Sequence, residues 1–324
     1  MSFALQQAGV VSRLSNSLGV SSAHALAAVY TTLYVGSIYL SKGARLSFSK
    51  AKAYIDFGYS RPKEMRERWR DDPDVIRARL VAVSIATIIC CVMAADPVRE
   101  IAGNELDRVT LLRLTLSHLG ITFSGLLPFL VTPVLYLGPL YSRFLVGTLP
   151  FQRNWTYEDD FVSVVFSVTG IRNYVVAPIT EEVVFRACVL SAYHLANASK
   201  ARMILLSPLA FGAAHIHHAW ETYNRYGRSP AALKRAAIGT AFQFAYTTLF
   251  GFYCSYLFLR TGSVLPPIAA HVFCNVMGVP QPGYDIGQRP DRKLAIILAY
   301  LSGISLFVYV LQRWTYTEES LFWS

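Results

Sequence analysis

The chain has 324 residues, 53% of them hydrophobic and only 15% charged, with a mean hydropathy of +0.36 and a formal net charge of +10. A soluble domain carries about a quarter of its residues as charges, so the composition excludes an ordinary water-solvated globule and points to helices in lipid. The five cysteines, Cys90, Cys91, Cys188, Cys254 and Cys274, have no CxxC spacing. That excludes a disulfide framework or a zinc finger.

Taken in chain order, the opening "MSFALQQAGVVSRLSNSLGV" lacks the basic, apolar and small-residue order of a cleaved signal. Targeting is therefore expected to fall to the first spanning helix. A bilayer crossing needs about 20 apolar residues, and residues 23–40 and 80–95 qualify or nearly so. Between them lies a polar stretch, residues 42–79, rich in Lys and Arg, whereas the next loop, "DPVREIAGNELDRVTLLR", is nearly balanced. The positive-inside rule places the basic loop in the cytosol. Lying between two spans and alternating with acids, it suits anionic lipid headgroups and not nucleic acid.

Residues 114–141 carry no charge apart from His118, but are too long for one simple helix and contain Pro128, Pro133 and Pro139, which kink or stop helices. One tilted span, or a span with a re-entrant piece, fits. Further apolar pieces follow at 161–169, 174–196, 203–214 and 263–279, with longer runs at 238–259 and 294–312. The expected fold is all-α: a polytopic membrane protein, one domain over residues 1–324, with about eight transmembrane helices. It shows no internal repeat, and its chemistry is concentrated in residues 174–280.

That chemistry sits in three short motifs. "EEVVFR" places Glu181 and Glu182 side by side and sets Glu182 four residues before Arg186. "FGAAH" gives Phe211 and His215 the same spacing, and "HVFCN" gives it to His271 and Asn275. On a helix each such pair projects to one side. Ionisable groups at membrane depth are costly, usually face a cavity or the bundle interior, and mark function by default. Thr180, just after Pro178, is a candidate N-cap that would put both acids in a helix's first turn and favour their ionised form. Apolar surroundings push the other way.

Each motif also has a plain structural reading. A Glu and an Arg one turn apart commonly form a neutralising structural pair, and His24, His118 and His194 read as packing residues. Cys274, near His271 and Asn275, is imaginable as a nucleophile, although a buried cysteine is more commonly a small hydrophobe. His217 and His218 are either solvated loop residues or neighbours of a metal. For amide hydrolysis, a base must activate water and donors must meet the developing oxyanion. Glu181 with His215 supplies the first, and His271 with Asn275 the second. A zinc site of His215, His271 and Glu181 is the chemical alternative, though the HExxH spacing is absent. A non-enzymatic transporter or scaffold using buried carboxylates is the other.

In this order on hydrophobic segments, "EEVVFR", "FGAAH" and "HVFCN" resemble the type II CAAX prenyl endopeptidases, the Ras-converting enzymes of the wider ABI/CPBP intramembrane protease family. The resemblance covers residues 179–275. It implies an endoplasmic-reticulum membrane protease that removes the C-terminal tripeptide from farnesylated or geranylgeranylated CAAX proteins such as Ras-like GTPases, through a cavity facing the cytosol. It also implies a metal-free, cofactor-free mechanism. Glu181 would activate water with His215 as its partner, His271 and Asn275 would form the oxyanion hole, and Glu182, Arg186 and Phe211 would shape the site.

Overall fold

The computed structural model describes residues 13–14, 17–49, 60–103, 105–318 and 320–323. Most of the opening segment read for a signal, and residues 50–59 of the basic loop, lie outside the described residues. Among the described residues the regular structure is helical, apart from one isolated bridge between Ser47 and Arg68.

Helix α1 (Val20–Leu40) holds neither acid nor lysine nor arginine, and its buried residues Ala23, Ala27, Tyr30, Tyr34, Ser37 and Ile38 recur at helical spacing on one face. Helix α2 (Pro73–Ala102) begins with Pro at its first position, where the missing N–H costs nothing. It buries Val83, Ala86, Thr87, Cys90 and Ala94 while exposing Val81, Ile85, Ile88, Ile89 and Val92. An outward face so apolar is what lipid requires. Asp107 caps α3 (Arg108–His118) by accepting from the Val109 and Thr110 amides. The proline-bearing stretch becomes α4 (Leu127–Leu135) and α5 (Leu137–Val146), bent by 70° with Pro133 inside α4. There follow α6 (Ala177–Glu182), α7 (Val189–Leu195), α8 (Ser207–Ala214), α9 (His218–Arg225), α10 (Pro230–Thr261), α11 (Leu265–Met277) and α12 (Lys293–Trp314).

Three helical stretches, Val20–Leu40, Pro73–Ala102 and Pro290–Trp314, are long and apolar enough to cross a membrane, or up to four counting the bent pair as one. The other predicted passes differ for visible reasons. Residues 203–214 divide near Leu206, ahead of Pro208 at the start of α8. The predicted 238–259 pass lies within the 32-residue α10, where Thr240, Gln243, Thr247 and Thr248 dilute the apolar run.

The chain divides into two compact units. The first comprises Met1–Leu119 and Thr180–Tyr256, the second Gly120–Ile179 and Leu257–Ser324. In the first, α1 packs on α2 and α7. Lipid gives helices little hydrophobic drive to associate, so close van der Waals packing through small residues substitutes for it; Ala23, Ala27, Ala86, Cys90 and Ala94 serve that purpose here. A cluster of Leu14, Val98, Ala102, Leu114 and Leu195 closes one end of this unit. In the second, α12 packs on α4 and α5. Gly303 permits that approach, because a Cβ there would stand 3.1 Å from the Val134 carbonyl oxygen.

Candidate active site

The two acids sit mid-helix. Thr180 lies within α6, and its hydroxyl is hydrogen-bonded to Tyr34 of α1 at 2.9 Å instead of capping a helix start. The first-turn dipole argument therefore does not apply to Glu181 or Glu182. A π-helical stretch, Val183–Cys188, follows directly; such widened turns break the regular helical register and are frequent at functional sites.

The predicted i,i+4 pair forms: Arg186 Nε stands 3.1 Å from Glu182 Oε2, with side chains 1% and 0% exposed. Buried charge is tolerated only when matched in this way. Arg186 also lies over the face of Phe211, 4.5 Å from the ring centroid, which offers the cation further stabilisation away from water. Phe211 in turn meets Phe185 and His215 edge-on, at 5.1 Å and 4.9 Å between centroids. Two glycines make room for this stack. A Cβ at Gly212 would collide with Thr248, and one at Gly251 would reach within 2.6 Å of Pro208 and 3.4 Å of Arg186.

His215 Nδ1 is 2.9 Å from the Phe211 carbonyl oxygen. A carbonyl only accepts, so Nδ1 is the donor in this bond, and Nε2 is the ring nitrogen it leaves unengaged by that carbonyl. Glu181, half-buried, adjoins the Glu182–Arg186 pair in sequence. Thus Glu181, Glu182, Arg186, Phe211 and His215 all belong to the first unit. Tyr34, which holds the Thr180 hydroxyl, is a neighbour that the sequence did not single out.

His271 and Asn275 lie one turn apart on α11, in the second unit. His271 is 8% exposed. Asn275 donates one amide N–H to the Asn173 carbonyl oxygen at 2.8 Å, which orients the carboxamide and leaves it a second N–H. Cys274, between them, accepts from the Tyr136 hydroxyl at 3.6 Å. In this unit an open recess of about 490 Å³ is lined by Phe144, Leu145, Gly147, Gln152, Arg153 and Arg289, none of them a predicted site residue.

His217 and His218 extend the histidine row, with ring centroids 4.1 Å apart and His218 5.9 Å from His215. His217 Nδ1 donates to the Ala214 carbonyl oxygen at 2.7 Å. Burial, helped by the Arg79 and Arg70 charges and opposed by that hydrogen bond, holds His217 down to about 4. Burial and the same two arginines, Arg70 foremost, push His218 well below the ordinary imidazole value. Both rings are therefore neutral at pH 7. Among the described residues no three His, Cys, Asp or Glu side chains gather as a metal-holding group.

Comparison with known proteins follows the motifs. Residues 163–277 match the family described as Type II CAAX prenyl endopeptidase Rce1-like. The chain is 32% identical over 278 residues to "Probable CAAX prenyl protease 2" of Schizosaccharomyces pombe, covering 86% of this chain and 88% of that one. It is 33% identical over 258 residues to "CAAX prenyl protease 2" of Homo sapiens, covering 76% and 74%. Against the protein of that name in Arabidopsis thaliana it is 30% identical over 315 residues, covering 92% and 89%. No solved structure matches. Motifs, membrane helices and similarity over most of the length agree, and the chain belongs to the type II CAAX prenyl endopeptidase family.

Proposed function

We propose that this chain hydrolyses the peptide bond that follows a prenylated cysteine and so releases the C-terminal tripeptide of a CAAX protein. The observation that carries the reading is the tie between His215 Nδ1 and the Phe211 carbonyl. It fixes the orientation of the imidazole in the unit that also holds Glu181. In this reaction Glu181 takes a proton from water while His215 Nε2 orients the same water, and the oxygen attacks the carbonyl carbon after the prenylcysteine. His271 and the second N–H of Asn275 donate to the resulting oxyanion. On collapse the proton held by Glu181 passes to the departing amine, leaving a new carboxyl on the cysteine and a free tripeptide.

Glu182, Arg186 and Phe211 keep the carboxylate's helix in place and take no part in proton transfer. The reading assigns the chain about eight passes, placed so that a lipid-anchored tail meets the water from the cytosolic side of the endoplasmic-reticulum membrane. A prenyl chain buries about 0.8 kcal/mol per methylene in the bilayer, so substrate arrives already held at that depth. The experiment is incubation of the purified chain with farnesylated and unmodified CAAX peptides, followed by mass analysis. Release of a tripeptide from the farnesylated peptide alone is expected, at a rate insensitive to chelators. Equal cleavage of both peptides, or of neither, defeats the reading.

A further inference from the structure

We propose that Cys91 and Cys188 are a modification site: a hydroperoxide joins the two thiols as a disulfide, and the join reversibly halts hydrolysis by shifting the helix that carries Glu181. The crosslink stands on the geometry alone, while its effect on hydrolysis rests on the function proposed above. Cys188 donates its S–H to the Cys91 sulfur at 4.0 Å, across 97 positions of the chain. Both belong to the first unit, where α2 packs on the π-helical stretch Val183–Cys188. A disulfide holds its sulfurs about 2 Å apart, so each has about 1 Å to travel.

The two thiols divide the work that such a pair requires. A sensing cysteine is accessible and stands next to a resolving one. Cys91 is half-buried, at the edge between the packed face of α2, with Thr87 and Ala94, and its lipid face, with Ile88 and Val92. A small uncharged hydroperoxide, or one formed on a lipid chain, meets it from that side. Cys188 is wholly buried against it. Cys90 is turned elsewhere, its thiol donating to the Tyr30 carbonyl of α1 at 3.9 Å.

In the first step the Cys91 sulfur attacks the terminal peroxide oxygen, the O–O bond breaks, and the thiol proton goes to the departing alkoxide. Cys91 is left as a sulfenic acid. The Cys188 sulfur then attacks the Cys91 sulfur, the S–S bond forms, and hydroxide leaves with the Cys188 proton as water. Two electrons pass from the thiols to the hydroperoxide, which ends as an alcohol and water. Cys188 closes the stretch that begins beside Glu182, and Arg186 lies two residues before it. Protein interiors are packed as densely as organic crystals, so a fully buried residue is not drawn sideways alone. The Glu182–Arg186 pair and the adjoining Glu181 shift with it, and a misplacement of about 1 Å at a reacting group costs on the order of 10²-fold in rate.

The test treats the purified full-length chain in detergent with hydrogen peroxide, blocks remaining thiols with N-ethylmaleimide, and reads both unreduced peptide masses and tripeptide release. Expected is a joined pair of peptides holding Cys91 and Cys188, with kcat on a farnesylated CAAX peptide reduced by about 10- to 100-fold. Dithiothreitol should restore the rate as it removes the join. Because the join closes a long loop, the unfolding midpoint of the oxidised chain should rise. Cys91→Ser and, independently, Cys188→Ala should cleave at the rate of the reduced wild type and ignore peroxide, whereas Cys90→Ser should respond as the wild type does. Either of the first two variants decides the matter should the other fail to fold. Peroxide that leaves Cys91 and Cys188 unjoined, as inert packing residues would be, overturns the proposal while leaving the protease reading intact. So does a joined chain with undiminished kcat, or a loss that persists in either variant or comes with a fallen midpoint. Absence of cleavage by the reduced wild type removes the protease reading and the proposed control with it.

Discussion

Arg186 sits where a cation has no water to retreat to: against Glu182, over Phe211, and beside the backbone gap left by Gly251. Removing one member of a buried pair strands the other's charge, a loss of about 3–5 kcal/mol. Arg186→Ala is therefore expected to lower the unfolding free energy in detergent by that amount, and Phe211→Ala by a similar one through the lost ring packing. Replacing Glu182 and Arg186 together by Leu and Met should cost less than Arg186→Ala alone, because no charge is stranded. The i,i+4 spacing made this pair legible in the sequence. The role of Thr180 was not legible, since its hydroxyl bonds to Tyr34, 146 residues away, and a local capping rule cannot see such a partner.

Among the elements, the segment before α2 departs furthest from its sequence reading as a lipid-facing basic loop. Arg61 is buried, its Nε donating to the Asn224 carbonyl at 3.0 Å and its guanidinium pairing with Glu67. Glu67 also accepts from the amides of Ser49 and Glu64 and from the Trp69 indole. Burial alone would raise the Glu67 carboxyl, but the Arg61 hydrogen bonds, the two backbone amides and the Arg61 charge outweigh it and hold it down to about 2, against 4.5 ordinarily. A folded-state value below the unfolded one stabilises the fold above about pH 4.5, and that contribution drains away as pH falls toward 2. Unfolding measured across this window should show the loss, and Glu67→Gln should flatten it. Composition marks such a loop as charged, whereas the pairing of its charges depends on α9, more than 150 residues downstream. By contrast the break between α4 and α5 was readable, because Pro139 has no N–H for the Leu135 carbonyl and its ring crowds it, with Pro133 one turn before the break.

For the whole molecule, apolar length revealed a membrane chain and four long helical runs in nearly the right places. The helices that carry the motifs were harder to delimit: the catalytic candidates bring prolines, π-helical turns and polar residues that interrupt the apolar signal used to find spans. Motif order was the more durable clue, and family similarity over most of the chain agrees with it. Losing a proposed oxyanion donor should slow the reaction without unfolding the protein. His271→Ala and Asn275→Ala are each expected to reduce kcat by about 10²–10³, read by tripeptide release. The central claim is that Glu181 activates water, and its most direct test is the rate at which Glu181→Gln releases the tripeptide from a farnesylated CAAX peptide. The account predicts a fall of about 10²–10⁴ with the unfolding midpoint preserved, and cleavage at the wild-type rate would contradict it.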